Sequence, residues 1–150
     1  MCAEAEVNDI CGSELEIFGQ FGYIKTPHYP ANYPDNVDCN VTVRTPYAEQ
    51  RVELHIIDLT LEQEHTGCAD WLEIFDGHRS KTMCGTRSRQ VAFTSIGNVV
   101  TVKFRSSSTE QRKGFWLMYK GRRRRGYRFT PEGVVQTIDS RRFVSKSARD

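Results

Sequence analysis

The sequence predicts an all-β sandwich or barrel, and three observations carry that prediction. Apolar residues recur with period two in five short segments, the spacing that puts every second side chain on one face of a strand. No apolar stripe at helical spacing runs longer than two turns. Clusters of Gly, Pro, Asn and Asp separate the segments, as tight connections require.

Residues 1–10 read as a polar, acidic leader. From Thr26 to Asn36 the chain carries Pro27, Pro30 and Pro34, which fix φ and remove backbone donors, so this stretch is no central strand. Tyr29 and Tyr33 give it more aromatic surface than a Pro-rich linker carries, and it reads as an ordered turn pinned by those two rings. Val41 and Val43 alternate with Thr42 and Arg44. Val52, Leu54 and Ile56 alternate with Glu53 and His55, and the run then stays apolar at Ile57, Leu59 and Leu61. Leu72 and Ile74 flank Glu73 ahead of Asp76-Gly77, a hairpin dipeptide. Val100, Val102 and Phe104 oppose Thr101, Lys103 and Arg105, and Phe115, Leu117 and Tyr119 close the series. Gly121-Arg122-Arg123-Arg124-Arg125-Gly126 breaks the pattern. Residues 121–150 read as a basic linker or tail with one short strand near Val134-Val135.

At 150 residues the chain is long enough for one domain and a tail. No run approaches the roughly 18 apolar residues of a membrane span, and no secretion signal lies in this fragment. Residues 1–120 hold 12 Lys/Arg against 16 Asp/Glu, a net −4, while residues 121–150 hold 9 against 3, a net +6. An acidic body argues against a nucleic-acid-binding domain, and the basic tail keeps a polyanion of the heparan type open as a ligand. Five cysteines at 2, 11, 39, 68 and 84 show no CxxC pair, so structural zinc is excluded. Two disulfides in an oxidising compartment fit better, with Cys2 left over. Five reduced thiols in a cytosolic protein is the alternative.

A run of motifs in this order and spacing resembles the CUB domain. It begins at Cys11-Gly12 and passes through Gly22-Tyr23-Ile24-Lys25-Thr26-Pro27-His28-Tyr29-Pro30 and Tyr33-Pro34-Asp35-Asn36 to Cys39. It resumes at Leu59-Thr60-Leu61-Glu62, Cys68-Ala69-Asp70-Trp71-Leu72-Glu73-Ile74-Phe75-Asp76-Gly77 and Cys84-Gly85. Phe104-Arg105-Ser106-Ser107 and Gly114-Phe115-Trp116-Leu117-Met118-Tyr119 complete it, so the resemblance covers residues 11–120. It implies a jelly-roll sandwich of two antiparallel sheets with bridges Cys11–Cys39 and Cys68–Cys84. It further implies a calcium site at Glu62 and Asp70, with Tyr33 orienting the acids and a third acid in the loop after Phe-x-Ser. Ser107 stands where that third acid belongs, which removes one formal charge and leaves at most a weak site. Glu110, three residues on, is the alternative carboxylate. The same four residues, Tyr33, Glu62, Asp70 and Ser107, are then the expected contact for a Lys or Arg of a protein partner.

No enzyme motif is present: there is no GxSxG, HExxH, Walker loop or dinucleotide fingerprint, and His65 beside Glu62 and Glu64 reads as a loop residue. Asn40-Val41-Thr42 is an N-glycosylation acceptor. The run Arg122 to Arg125 reads as a solvated charge run, a glycan patch, or an Arg-x-Arg-Arg cleavage signal at a domain edge. The expectation is an extracellular, non-catalytic interaction module of a larger secreted or membrane protein. The alternatives are a free-standing spermadhesin-like glycan binder, or a non-catalytic piece of a secreted protease or growth-factor precursor.

Overall fold

A computed structural model describes residues 5–123, 127–130 and 133–136. The strands are β1 (Glu6–Asp9), β2 (Glu16–Phe18), β3 (Phe21–Lys25), β4 (Asp38–Arg44), β5 (Arg51–Leu61), β6 (Gln63–Glu64) and β7 (Gly67–Cys68). They continue as β8 (Trp71–Phe75), β9 (Ser80–Met83), β10 (Gly85–Thr94), β11 (Val99–Arg105), β12 (Gly114–Arg122), β13 (Tyr127–Thr130) and β14 (Gly133–Gln136). Two five-stranded sheets, ordered β1-β3-β12-β5-β10 and β2-β4-β11-β8-β9, form the sandwich. Short hairpins β6-β7 and β13-β14 stand apart from both.

The period-two segments fill the space between the sheets. Ile24, Leu54, Ile56, Leu59, Leu61, Phe115, Leu117 and Tyr119 face inward from one sheet. Val41, Val43, Leu72, Ile74, Val100, Val102 and Phe104 face them from the other. Burying each such side chain contributes about 1.5–3 kcal/mol. The unbroken apolar run in β5 has a local cause. The register jumps from Leu117↔Ile56 to Trp116↔Asp58, so Ile57 sits in a bulge and is 40% exposed. The bulge switches the phase of the strand and returns Leu59 and Leu61 to the core.

Three expectations need correction. The sheets are mixed rather than wholly antiparallel, because β1 pairs parallel with β3 and β2 pairs parallel with β4 at the sheet edges. The polar leader is half structural. Glu6 to Asp9 join a sheet through backbone hydrogen bonds, which need no apolar pattern, and Ile10 is buried. At the other end β12 runs on to Arg122, pairing Gly121 with Val52 and Arg122 with Arg51, and the expected tail holds a two-stranded hairpin instead of one strand.

Register fixes which end of the sandwich holds what. Glu6 at the start of β1 lies beside Gly22, which lies beside Tyr119 near the end of β12. At the opposite end, Thr60 lies beside Gly114, Leu61 beside Gly85, and Phe104 beside Cys39. The bridges Cys11–Cys39 and Cys68–Cys84 belong to this second end and close loops of 28 and 16 residues. Each contributes roughly 3 kcal/mol in the chain-entropy account.

Candidate functional site

The second end gathers Tyr33, Glu62, Asp70 and Ser107 from four separate connections. Glu62 follows β5, Asp70 precedes β8, and Ser107 follows β11. Tyr33 comes from the proline-rich turn, which is ordered as expected. Its ring packs edge-on against Phe104 with centroids 5.1 Å apart, and Phe104 meets Phe115 in the same way at 5.5 Å. That aromatic column is anchored in the core and aims the phenol at the acids. Tyr29, the second ring of the turn, donates to Asp58 Oδ2 at 2.5 Å and packs on Trp116. Burial first, and then the Asp58 carboxylate, push the Tyr29 phenol up to about 12.

The Tyr33 hydroxyl donates to Asp70 Oδ2 at 2.5 Å and accepts the Glu62 N–H at 3.3 Å. Burial, and next the bond to Asp70, raise its pKa well above the ordinary phenol value. Asp70 Oδ1 accepts the Ser107 N–H at 2.6 Å. Glu62 Oε2 accepts the Thr109 hydroxyl at 2.8 Å, the Glu110 N–H at 3.1 Å and the Ser107 hydroxyl at 3.5 Å. Ser107 O in turn accepts the Asn36 N–H at 3.0 Å. Two carboxylates thus hold three loops through O–H and N–H donors.

The four expected residues do come together, yet they are not equally reachable. Tyr33 is 1% exposed and Asp70 is fully enclosed, so both position the loops beneath the surface. Glu62 is buried as well, at 9% exposure, and Ser107 is half-buried. Thr109 also serves the site, and nothing in its residue type set it apart in the sequence; Glu110, expected as a carboxylate, serves through its N–H instead. Ser106 of the Phe-x-Ser motif is a further member, accepting the Val37 N–H at 3.1 Å and donating to Pro34 O at 2.7 Å.

Calcium takes six to eight oxygens with several anionic ones among them. Here the third position is the neutral Ser107, and Glu110 turns its carboxylate to Arg112 at 2.8 Å while offering Glu62 only an N–H. Three of the four carboxylate oxygens of Glu62 and Asp70 already accept hydrogen bonds. Among the described residues no group of three or more His, Cys, Asp or Glu side chains could hold a metal ion. The residues present do not fit a calcium site.

A family profile described as "CUB domain" matches residues 11–119. The chain belongs to the CUB family. Signal peptide, CUB and EGF-like domain-containing protein 2 of Danio rerio is 35% identical over 118 residues, 75% of this chain and 11% of that protein. The full extracellular region of zebrafish Gpr126/Adgrg6 has a similar fold with a TM-score of 0.69 at 28% identity, covering 76% of this chain and 15% of that one. The MASP-1 CUB2 domain bound to Ca2+ matches at a TM-score of 0.65 and 21% identity, covering 73% of this chain and 99% of that one. The chain therefore spans about a tenth of the curated relative it matches, and its CUB domain corresponds to one module of a longer protein.

Outside the loop cluster, Asn40 of the CUB domain is exposed on β4. His65 lies in the exposed turn between β6 and β7. Arg122 donates to Glu53 Oε2 at 3.1 Å, and Glu53 also meets His55 Nε2 at 2.5 Å and Lys120 at 3.6 Å. Cys2, Arg124 and Arg125 lie outside the described residues. Among the described residues no helix is long and apolar enough to cross a membrane.

Proposed function

We propose that the chain is an extracellular, non-catalytic CUB recognition module of a larger secreted or membrane protein. It binds a protein partner at the loop pole that holds Tyr33, Glu62, Asp70 and Ser107. One observation carries this reading: Glu62 and Asp70 are held by neutral donors, and among the described residues no Lys or Arg forms an ion pair with either. Their charge is left without an ion pair, and together with the exposed Glu64 it favours a Lys- or Arg-bearing partner, while Glu110 is already paired with Arg112. Tyr33, Asp70 and the buried Glu62 fix the loops, while Ser107 and Glu64 lie at the contact surface. The calcium assistance implied by the family is replaced in this reading by the loop's own hydrogen bonds.

Asn40 carries an N-glycan in the same reading, and Arg122 to Arg125 form the edge where the module is cut from the chain beyond it or meets a heparan-type glycan. The test is binding of the chain to an array of secreted and cell-surface ectodomains, repeated with a Glu64→Lys/Glu110→Lys variant. The expected result is a loss of at least about tenfold in affinity, together with a marked salt dependence. Binding that survives this variant but is lost in Phe21→Ser/Val91→Ser, on β3 and β10 of the β1-β3-β12-β5-β10 sheet, would place the contact elsewhere.

A further inference from the structure

We infer that the loop pole is closed by a hydrogen-bonded latch in place of a metal, so that its order is independent of calcium. The inference concerns the loops alone and stands or falls apart from the identity of any partner. An ion that bridges two carboxylates ties their loops together by supplying positive charge between them. Here the same tie is made by donors. Ser107 N–H holds Asp70, Thr109 O–H and Glu110 N–H hold Glu62, and Tyr33 joins the two by donating to one and accepting from the backbone of the other. Hydrogen bonds to ionised carboxylates are the strong kind, roughly twice the neutral ones.

The backbone donors make the exchange one-way. An N–H group points positive charge at the carboxylate and cannot turn to become an oxygen ligand. A cation ligated at Asp70 Oδ1 or Glu62 Oε2 has to compete with Ser107 N–H at 2.6 Å and Glu110 N–H at 3.1 Å, both set by the backbone of one loop. The hydroxyls of Ser107 and Thr109, 2.8 Å apart, complete the closure on the side where a third carboxylate would stand. Serine is therefore a working part of the latch, since an aspartate at 107 would bring a third negative charge against Glu62 and break it.

The test compares melting temperature and amide exchange of the whole chain in chelator and in calcium at several times the roughly millimolar weakest affinities of extracellular sites. Equal melting temperatures and equal protection of residues 106–110 are expected. A calcium-dependent rise in either would overturn the inference. Thr109→Val is expected to speed exchange across 106–110 about tenfold, as one lost hydrogen bond to a charged group does, in chelator and in calcium alike. Unchanged exchange in that variant, or its rescue by calcium, would also overturn it. Ser107→Asp is expected to lower stability in chelator and to gain a calcium response that the parent lacks. A folded Ser107→Asp protein that ignores calcium would refute the argument from charge.

Discussion

Tyr33 and Asp70, separated by 37 residues, share a buried hydrogen bond of 2.5 Å that joins the proline-rich turn to the loop before β8. Tyr33→Phe keeps the edge-on ring contact with Phe104 and removes this bond together with the one the hydroxyl accepts from the Glu62 N–H. It leaves Asp70 Oδ2 enclosed without its donor, at a cost of about 1–3 kcal/mol. Urea denaturation should show a lower midpoint at unchanged slope. An unaltered midpoint would mean that Asp70 finds another donor.

Acid sensitivity arises from carboxylates held in the charged form. The Asp76 side chain is enclosed and accepts the N–H groups of His78, Arg79 and Ile96 at 2.9, 2.8 and 3.0 Å. Burial on its own raises the Asp76 pKa, but the three N–H groups and the Arg79 charge outweigh it, and the value lies below the ordinary carboxylate range. At Asp58 burial is likewise overcome, by Lys113 and Tyr29. A carboxyl whose folded pKa is depressed contributes stability above its unfolded value near 4, and that contribution is lost as pH falls through the folded value. The free energy of unfolding is expected to drop as pH falls below about 4, and Asp76→Asn to flatten that drop. An equally steep profile in the variant would assign the acid response to other groups.

Cleavage in the arginine run is expected to be gated by Glu53. Arg122 is the last residue of β12 and reaches Glu53 at 3.1 Å, so the first arginine of an Arg-x-Arg-Arg signal is fastened to the sheet. Glu53→Gln loosens that hold, and a secretory convertase should then cut after Arg125 several-fold faster than in the parent. Mass spectrometry of timed digests reads the difference. Equal rates would show that Arg122 does not limit cutting.

Gly114 is expected to tolerate no side chain. Its φ is +87°, and a Cβ there would run into Thr26 Oγ1, the atom that accepts the Phe115 N–H at 3.0 Å. The backbone conformation alone makes Gly114→Ala cost about 1–3 kcal/mol, before Thr26 is displaced. Thermal melting of the variant measures it, and a loss below that range would mean the loop moves without strain.

The inward faces of β4, β5, β8, β11 and β12 were legible in the sequence because period-two alternation is a direct image of burial. β1 and β2 were not, since edge strands are held by backbone bonds that leave little pattern. Ile57 looked like core because a bulge is invisible without its partner strand. The resemblance to the CUB domain implied that Tyr33, Glu62, Asp70 and Ser107 are neighbours, but it could not show that Tyr33 and Asp70 would be covered. Nor could it show that Glu110 would contribute its amide in place of its carboxylate. Which atom of a residue serves a site depends on the loop's path, and residue type carries no record of that path.

The first and last strands of the sandwich, β1 and β12, flank β3, so Glu6 and Tyr119 stand at the same end of one sheet, about 10 Å apart. Polypeptide continuing in either direction therefore departs from a single base. The loop pole is carried to the far tip, roughly 25–30 Å away along the nine residues of β12. Such a unit holds its loop pole away from the base at which both ends of the sandwich leave it.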